Sequence, residues 1–426
     1  MRFLRLGICG LVAFTVVAHG GVENWARAVL EAGAGLLFFI WALRFYFHGK
    51  DNDKNSVVFS PLLPPLAGFF LMVIGQWLFH TTASPLHTRI EGMLLLAYLI
   101  LLFLAAQAFR SLEDWRSFVW FGMWLGFLVS VFGILQHLTF NGKLYWFREL
   151  HYSGFPFGPY ANRNHFAGLM ELLLPLSLVP LVLGRVRRER WVVVGLFAIL
   201  PVAALFLSAS RGGIVSFAAQ LALLALVMIR NGAIRGKHLL AGGMVLLLAL
   251  TIVSWLGVGR ILQRFSSLQL LEVNEGKRAS MRHDTWHIFL DHPFVGTGLG
   301  TLQIVYPRYE TLYDGKIVNH THNDYLEAVA ETGMLGGFCC AWFLAALISQ
   351  FLLRQSQLFD SFVGALQLSA MVACAGILVH ALVDFNFHIP SNLLLFFLMA
   401  YLATAPIQQV PSQATRRKPH SSPRNS

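Results

Sequence analysis

Between Leu239 and Leu256 the chain runs eighteen residues without a charged side chain. A helix of that length covers most of the ~30 Å hydrocarbon layer of a bilayer. Comparable runs recur along the chain, as in Ala97–Phe109 with its flanks. Inside a bilayer every backbone polar group needs a partner in the protein, so only helices and closed barrels can span. Barrel strands are ~10 residues long and alternate in polarity, whereas these runs are uniformly apolar. The expected class is all-α, a polytopic integral membrane protein. Only 12% of the 426 residues are charged, against ~25% in a soluble domain. Such a chain cannot cover a water-facing surface.

Spans are expected near residues 6–19, 25–47, 57–79, 89–109, 116–138, 164–184, 191–208, 213–229, 238–257, 324–353, 362–383 and 390–406, about twelve in all. The chain thereby divides into residues 1–257 with nine helices, a long loop over 258–323, three helices over 324–406, and a tail over 407–426. That tail is rich in Pro, Ser, Gln and Arg and is expected to be disordered and cytoplasmic. The first segment follows Met1-Arg2-Phe3-Leu4-Arg5 and also fits a signal peptide. Under either reading the second span is entered from outside.

The formal charge of +11 is accounted for by basic cytoplasmic loops, and no nucleic-acid partner is expected. With the N-terminus inside, nineteen of the 32 Lys and Arg fall on the cytoplasmic side. Of the other 13, seven lie in the long loop, and loops of that length translocate largely regardless of charge. The short-loop comparison of nineteen against six sets the orientation, with both ends inside. Cys9, Cys339, Cys340 and Cys374 all sit in apolar runs. They are expected to be small buried hydrophobes rather than disulfide or metal ligands.

Sidedness sorts the polar residues. Five clusters fall outside: Gly158 to His165, Ser208 to Gly213, Lys277 to His287, His320 to Asp324, and His380 to His388. Ionisable residues at membrane depth are costly and mark function, so one shared outward-facing cavity is expected. Arg211 lies between two apolar runs and is followed by Gly212 and Gly213. Glycines and helix-start amides suit an anion; the competing reading is an interfacial Arg that snorkels to headgroups. Arg278 and Arg282, four apart in an amphipathic segment over 278–291, share a helix face with Trp286. Two guanidinium groups can hold a diphosphate bidentately, although a basic helix on lipid headgroups has the same pattern. Beyond it, Gly296, Gly298 and Gly300 are expected to form a flexible stretch and carry no nucleotide fingerprint, for want of a βαβ context.

His322 precedes a helix carrying Asp324, Glu327 and Glu331. It is either a general base or a solvated residue at a helix start. His380, Asp384 and His388 fall at i, i+4 and i+8, a spacing on one helical face that would permit metal ligation. With no HExxH or Cys-rich set and with basic surroundings, no metal and no cofactor are expected. Asp384 is assigned instead to a sugar or to the Arg network.

Four stretches together resemble the O-antigen ligase and O-antigen polymerase superfamily. They are Asn162-Arg163-Asn164-His165-Phe166-Ala167-Gly168; Ser210-Arg211-Gly212-Gly213; Arg282 with Trp286, Pro293, Gly296 and Gly298; and His322-Asn323, nine residues, then Gly333 and Gly336. The resemblance covers about residues 155–390. It implies a glycosyltransferase C-type helical fold in the bacterial inner membrane, with its active face periplasmic. It also implies an undecaprenyl-diphosphate-linked glycan donor and transfer to an acceptor hydroxyl, without metal or nucleotide sugar. By motif, Arg211 and Arg282 would hold the diphosphate and His322 would activate the acceptor. Arg278, Asn162, Arg163, Asn164, His165, Trp286, Asn323, Asp384 and His388 would contact substrate. The acceptor is expected to be a glycolipid such as lipid A-core, or another hydroxyl compound. Polymerases and protein O-oligosaccharyltransferases share these motifs, and an anion transporter is the reading from a different class. Charges at one interface and the lack of paired halves weigh against transport.

Overall fold

The computed structural model describes residues 1–48, 57–149, 155–266, 268–313, 315–353, 358–359 and 361–407, with the side chains of 48 and 257–275 left aside. The tail expected to be disordered lies outside these residues beyond 407. Among the described residues the regular structure is helical, with two isolated bridges, Leu144–Arg148 and Phe157–Tyr160. In chain order the helices are α1 (Arg2–Val17), α2 (Asn24–His48), α3 (Leu63–Leu78), α4 (Pro85–Ala108), α5 (Leu112–Leu138), α6 (Arg163–Leu173), α7 (Pro175–Val182) and α8 (Trp191–Leu207). They continue as α9 (Arg211–Arg230), α10 (Gly236–Ser266), α11 (Leu268–Asp291), α12 (Leu302–Val305), α13 (Asp324–Leu352), α14 (Phe362–His380) and α15 (Pro390–Thr404).

Among the described residues, eight helices are long and apolar enough to cross a membrane, and a ninth span results if α6 and α7 count as one. These two are bent by 40° at the break, where Pro175 lacks the amide that would continue the ladder. The protein is thus a multi-pass membrane protein. Of the twelve expected spans, those at α1, α3 and α15 are helices of 15 or 16 residues, about 22–24 Å at 1.5 Å per residue. α1 is packed into the bundle through Leu4, Ile8, Val12 and Val16, all fully buried.

α14 lies at the centre, against α6, α7, α9 and α15. Small residues let its neighbours approach: a Cβ on Gly376 would collide with the Gln220 side chain. Gln220 in turn donates to the carbonyls of Glu171 (2.8 Å) and Val372 (3.1 Å), binding α9 to α6 and α14.

The connecting segments sort into two ends. At one end Arg5 pairs with Asp114, Arg44 lies over Phe3, Arg116 over Phe362, and Gln107 holds Val58. At the other, His19 meets Pro159, Arg148 pairs with Glu23, Ala83 bonds Thr297, and Asn164 reaches Asp384. The five polar clusters all belong to this second end.

The loop over 258–323 is more ordered than expected. α10 runs on to Ser266, and α11 extends from Leu268 rather than starting near 278. α11 buries Met281, Asp284, Thr285 and Ile288. Asp284 accepts from Tyr306 Oη (2.9 Å) and Thr311 N (3.1 Å). Burial pushes its carboxyl up, but the bonds from Thr311, Tyr306 and His283 outweigh that and hold it below the usual range.

The stretch around Gly296, Gly298 and Gly300 is not flexible but docked on a break in α13. Gly333 interrupts that helix at φ 63°, ψ −166°, and its Cα faces the backbone of Phe294 and Val295 so closely that a Cβ would overlap it. Gly296 (φ 71°) faces Glu331 the same way. The amides and carbonyls released by the break are taken up by the loop: Met334 N donates to Pro293 O (2.8 Å), Thr297 N to Ala330 O (3.1 Å) and Gly298 N to Glu331 O (2.9 Å). Gln76 of α3 completes the joint by donating to Val295 O and Glu331 O and accepting from Leu299 N.

Candidate functional site

Three of the helices that meet at this polar end begin with a side-chain cap, which fixes where the adjoining residues point. Asn162 caps α6 through Asn164 N, Ser210 caps α9 through Gly213 N, and Asn323 caps α13 through Leu326 N. The residue just before two of these caps is unusual. His322 (φ 54°) and Ala209 (φ 51°) adopt left-handed backbone that non-glycine residues seldom occupy. Strain of this kind clusters at functional sites, where the surrounding fold over-determines it.

From that position His322 sets its Nδ1 3.1 Å from Oδ1 of Asp384. Asp384 is fully buried, accepts from Asn164 Nδ2 on its other oxygen and from Phe385 N (2.9 Å). Burial pushes this carboxyl up, yet the hydrogen bond and charge of His322, helped by His165 and His380, hold it far below the usual range. An ionised carboxylate only accepts, so Nδ1 of His322 supplies the hydrogen of this bond, and Nε2 is the atom that carries the lone pair whenever the ring is neutral. The Phe385 ring packs against His322, His320 and His165, with centroids 5.0, 4.5 and 4.7 Å away.

Two basic elements flank this pair. α9 is pressed onto the end of α14: a Cβ on Gly212 would lie 2.6 Å from His380 Nε2 and 3.2 Å from Val383. This brings the α9 N-terminus, with the exposed Arg211 as its first residue, against His380 and Val383. From the other direction Arg278 Nη1 of α11 lies 3.4 Å from Val383 O. Arg282 is one turn further along the same helix, half-buried, and Trp286 beyond it is exposed against Phe289, ring centroids 5.1 Å apart. Arg211, Arg278, Asn164, Asp384 and His322 are therefore gathered around one stretch of chain.

Other residues expected at the site are turned elsewhere. Arg163 lies over the Phe155 ring at 5.0 Å, and His165 is buried against Phe385. The side-chain oxygens of Asn162 and Asn323 are engaged as helix caps. His380, Asp384 and His388 do not share a helical face, because α14 ends at His380 and the chain turns. His380 Nδ1 goes to Glu171 Oε1 (2.8 Å), Asp384 to His322, and His388 to Asp324 (2.9 Å) and Glu327 (3.2 Å). Burial pushes the His388 imidazole down, but Glu327 and Asp324 outweigh it and raise it to about 10. Among the described residues, His320, Glu327 and His388 are grouped closely enough to hold a metal ion.

Sequence reasoning missed Glu171 and Asn392. Asn392 donates to His165 O and Asn386 Oδ1, both at 3.0 Å, and the Asn386 side chain fills the space left by Gly168. The signal that could have found Glu171 is a lone acid in an otherwise apolar span. A cavity of about 400 Å³ lies between α3, α4, α13 and α15, apolar along Leu66, Tyr98, Phe343 and Phe396, with Asp324, Glu331 and His388 also in its wall.

Residues 196–341, about a third of the chain, match a family model described as O-antigen ligase. The match takes in Arg211, Arg282, Trp286, His322 and Asn323, while Asn164 and Asp384 lie outside it. Comparison with curated proteins gives no match.

Proposed function

We propose, from the premise that residues 196–341 belong to the O-antigen ligase superfamily, that this membrane enzyme transfers a glycan from undecaprenyl diphosphate to an acceptor hydroxyl. The observation that carries the reading is the His322–Asp384 pair, flanked by α9 and by Arg278 of α11. Nε2 of His322 takes the proton from the acceptor hydroxyl as its oxygen attacks the anomeric carbon. A glycosidic C–O bond forms, the bond from that carbon to the diphosphate oxygen breaks, and undecaprenyl diphosphate leaves. Arg211 and Arg282 hold the diphosphate and offset the charge that grows on it, with Arg278 in support. Arginines thus do what a metal ion would do for this leaving group, so the transfer itself needs no metal and no cofactor. Asp384, fixed by Asn164, keeps the imidazole in the tautomer and orientation of a base. Trp286 and Asn164 face the glycan, and the apolar cavity suits the hydrocarbon of a lipid-linked substrate.

The charge asymmetry of the short loops supports a bacterial inner-membrane location with this site periplasmic. A glycolipid such as lipid A-core is the acceptor favoured here, with polymerisation or transfer to protein as the other outcomes of one test. Protein purified in detergent is incubated with lipid-linked glycan and each acceptor, and products are sized: a single addition identifies a ligase, a ladder a polymerase. Arg211→Ala and Arg282→Ala are expected to abolish transfer in protein that still folds. Full activity in both would exclude the diphosphate role.

A further inference from the structure

We propose that His320, Glu327 and His388 form a binding site for one borderline divalent cation, Zn²⁺ by the chemistry of its donors, that tethers the His322 segment to the helix bundle. The three side chains each offer one ligand atom, and these atoms lie within 4.8 Å of one another. Around a tetrahedral zinc with bonds of about 2.0–2.1 Å, neighbouring donors stand roughly 3.3–3.4 Å apart. His388 Nε2 and Glu327 Oε1 are already 3.2 Å apart, and His320 Nδ1 and Glu327 Oε1 2.7 Å, so side-chain rotation suffices. Two imidazoles and one carboxylate are a common donor set for a zinc that keeps a fourth, open position. The side chains of His320 and His388 are 28% and 25% exposed, which leaves water access to that position.

The surroundings are arranged as ligand supports. His388 Nδ1 is held by Asp324 Oδ1 (2.9 Å), which turns Nε2 toward Glu327, and Asp324 Oδ2 is itself fixed by Phe387 N (3.1 Å). Thr321 N and Oγ1 hold Glu327 Oε2 at 2.9 and 3.2 Å, directing Oε1 at the two histidines. Carboxylate–histidine pairs of this kind orient the ligands of zinc sites. The charge balance points the same way. Asp324 and Glu327 are both buried, and among the described residues their side-chain ion pairs are with histidines alone. Glu331, one turn further on, is served by the amides of Gly300 and Leu302. Buried carboxylates require a compensating cation, supplied here either by protons on the imidazoles or by a metal ion. The three donors come from the segment before α13, from α13 and from the turn after α14, and His322 follows His320 by two residues. An ion at this point fixes the backbone that carries the base without touching substrate.

The full chain, purified in detergent and stripped with a chelator, is titrated with Co²⁺ and then Zn²⁺. The expected result is a visible Co²⁺ spectrum of four- or five-coordinate type that saturates at one equivalent and is displaced by Zn²⁺, together with a rise in unfolding temperature. His388→Ala also strips Asp324 of its partner, so His320→Asn serves as the second variant. It is expected to weaken Co²⁺ binding at least tenfold in protein with an unchanged circular-dichroism spectrum. Absence of a saturable spectrum, or one that both variants leave unchanged, would overturn the site and leave protons as the compensating charge. Because the readout is metal binding, its failure is separable from failure of the transferase reading.

Discussion

His322–Asp384 and His380–Glu171 are the same chemical pair in opposite settings. Each joins an imidazole Nδ1 to a carboxylate, at 3.1 and 2.8 Å. In the first the histidine keeps 24% of its side chain exposed; in the second both partners are at 0%. His380 is sealed by Gly212 against the start of α9, and among the described residues its Nε2 and Oε2 of Glu171 have no hydrogen-bond partner. A pair closed to substrate can hold helices together but cannot exchange a proton with an acceptor. Access, rather than residue type, separates the pair proposed to react from the one that is sealed.

The comparison breaks most visibly in kinetics. His322→Ala is expected to lower turnover by about 10²–10⁴-fold while donor binding and unfolding temperature stay at wild-type values. Loss of donor binding instead would remove the base from His322. His380→Ala should do the reverse, destabilising the fold by roughly 3–5 kcal/mol because Glu171 is left buried without its partner. Thermal unfolding followed by tryptophan fluorescence measures this, and a variant as stable as wild type but inactive would make the sealed pair the reacting one. Asp384→Asn is expected to reduce kcat less than His322→Ala, with little change in KM for the donor.

The Asp384 carboxyl is depressed in the folded state, so its contribution to stability is complete above the ordinary carboxylate value of about 3.9. It is lost only as the pH falls from there toward the depressed value. The stability gap between wild type and Asp384→Asn should therefore close as the pH is taken below the ordinary carboxylate value. The smallest effect is at Ala209, where glycine would relieve a left-handed backbone worth about 1–2 kcal/mol and raise the unfolding temperature slightly with activity unchanged.

Much of this was legible in the chain. Uniform apolar runs announce helices because lipid leaves no other way to satisfy the backbone, and α2, α4, α5, α8 and α9 fall close to where they are expected. Arg211, Arg278, His322 and Asp384 could be named from the cost of placing charge at membrane depth. Other features needed three dimensions. The spacing of His380, Asp384 and His388 looks helical only if the helix continues, and nothing local in the sequence says that it stops at His380. Asn162 and Asn323 have the chemistry of sugar ligands, but the same amides also cap helices, and the geometry shows them doing that. The glycines at 296, 298 and 300 look loose because the surface they fit belongs to α13, some thirty residues later.

That fit has a consequence for how the protein is made. Until residues 293–298 arrive, the break at Gly333 leaves peptide groups of α13 without partners, a state that hydrocarbon does not tolerate. The loop emerges from the ribosome before α13 does, so it is the segment that waits. α13 then completes itself against a segment that has already been made. The order of translation is also the order in which the joint can close, and lengthening the link between Gly300 and Asp324 should delay maturation before it disturbs the finished enzyme.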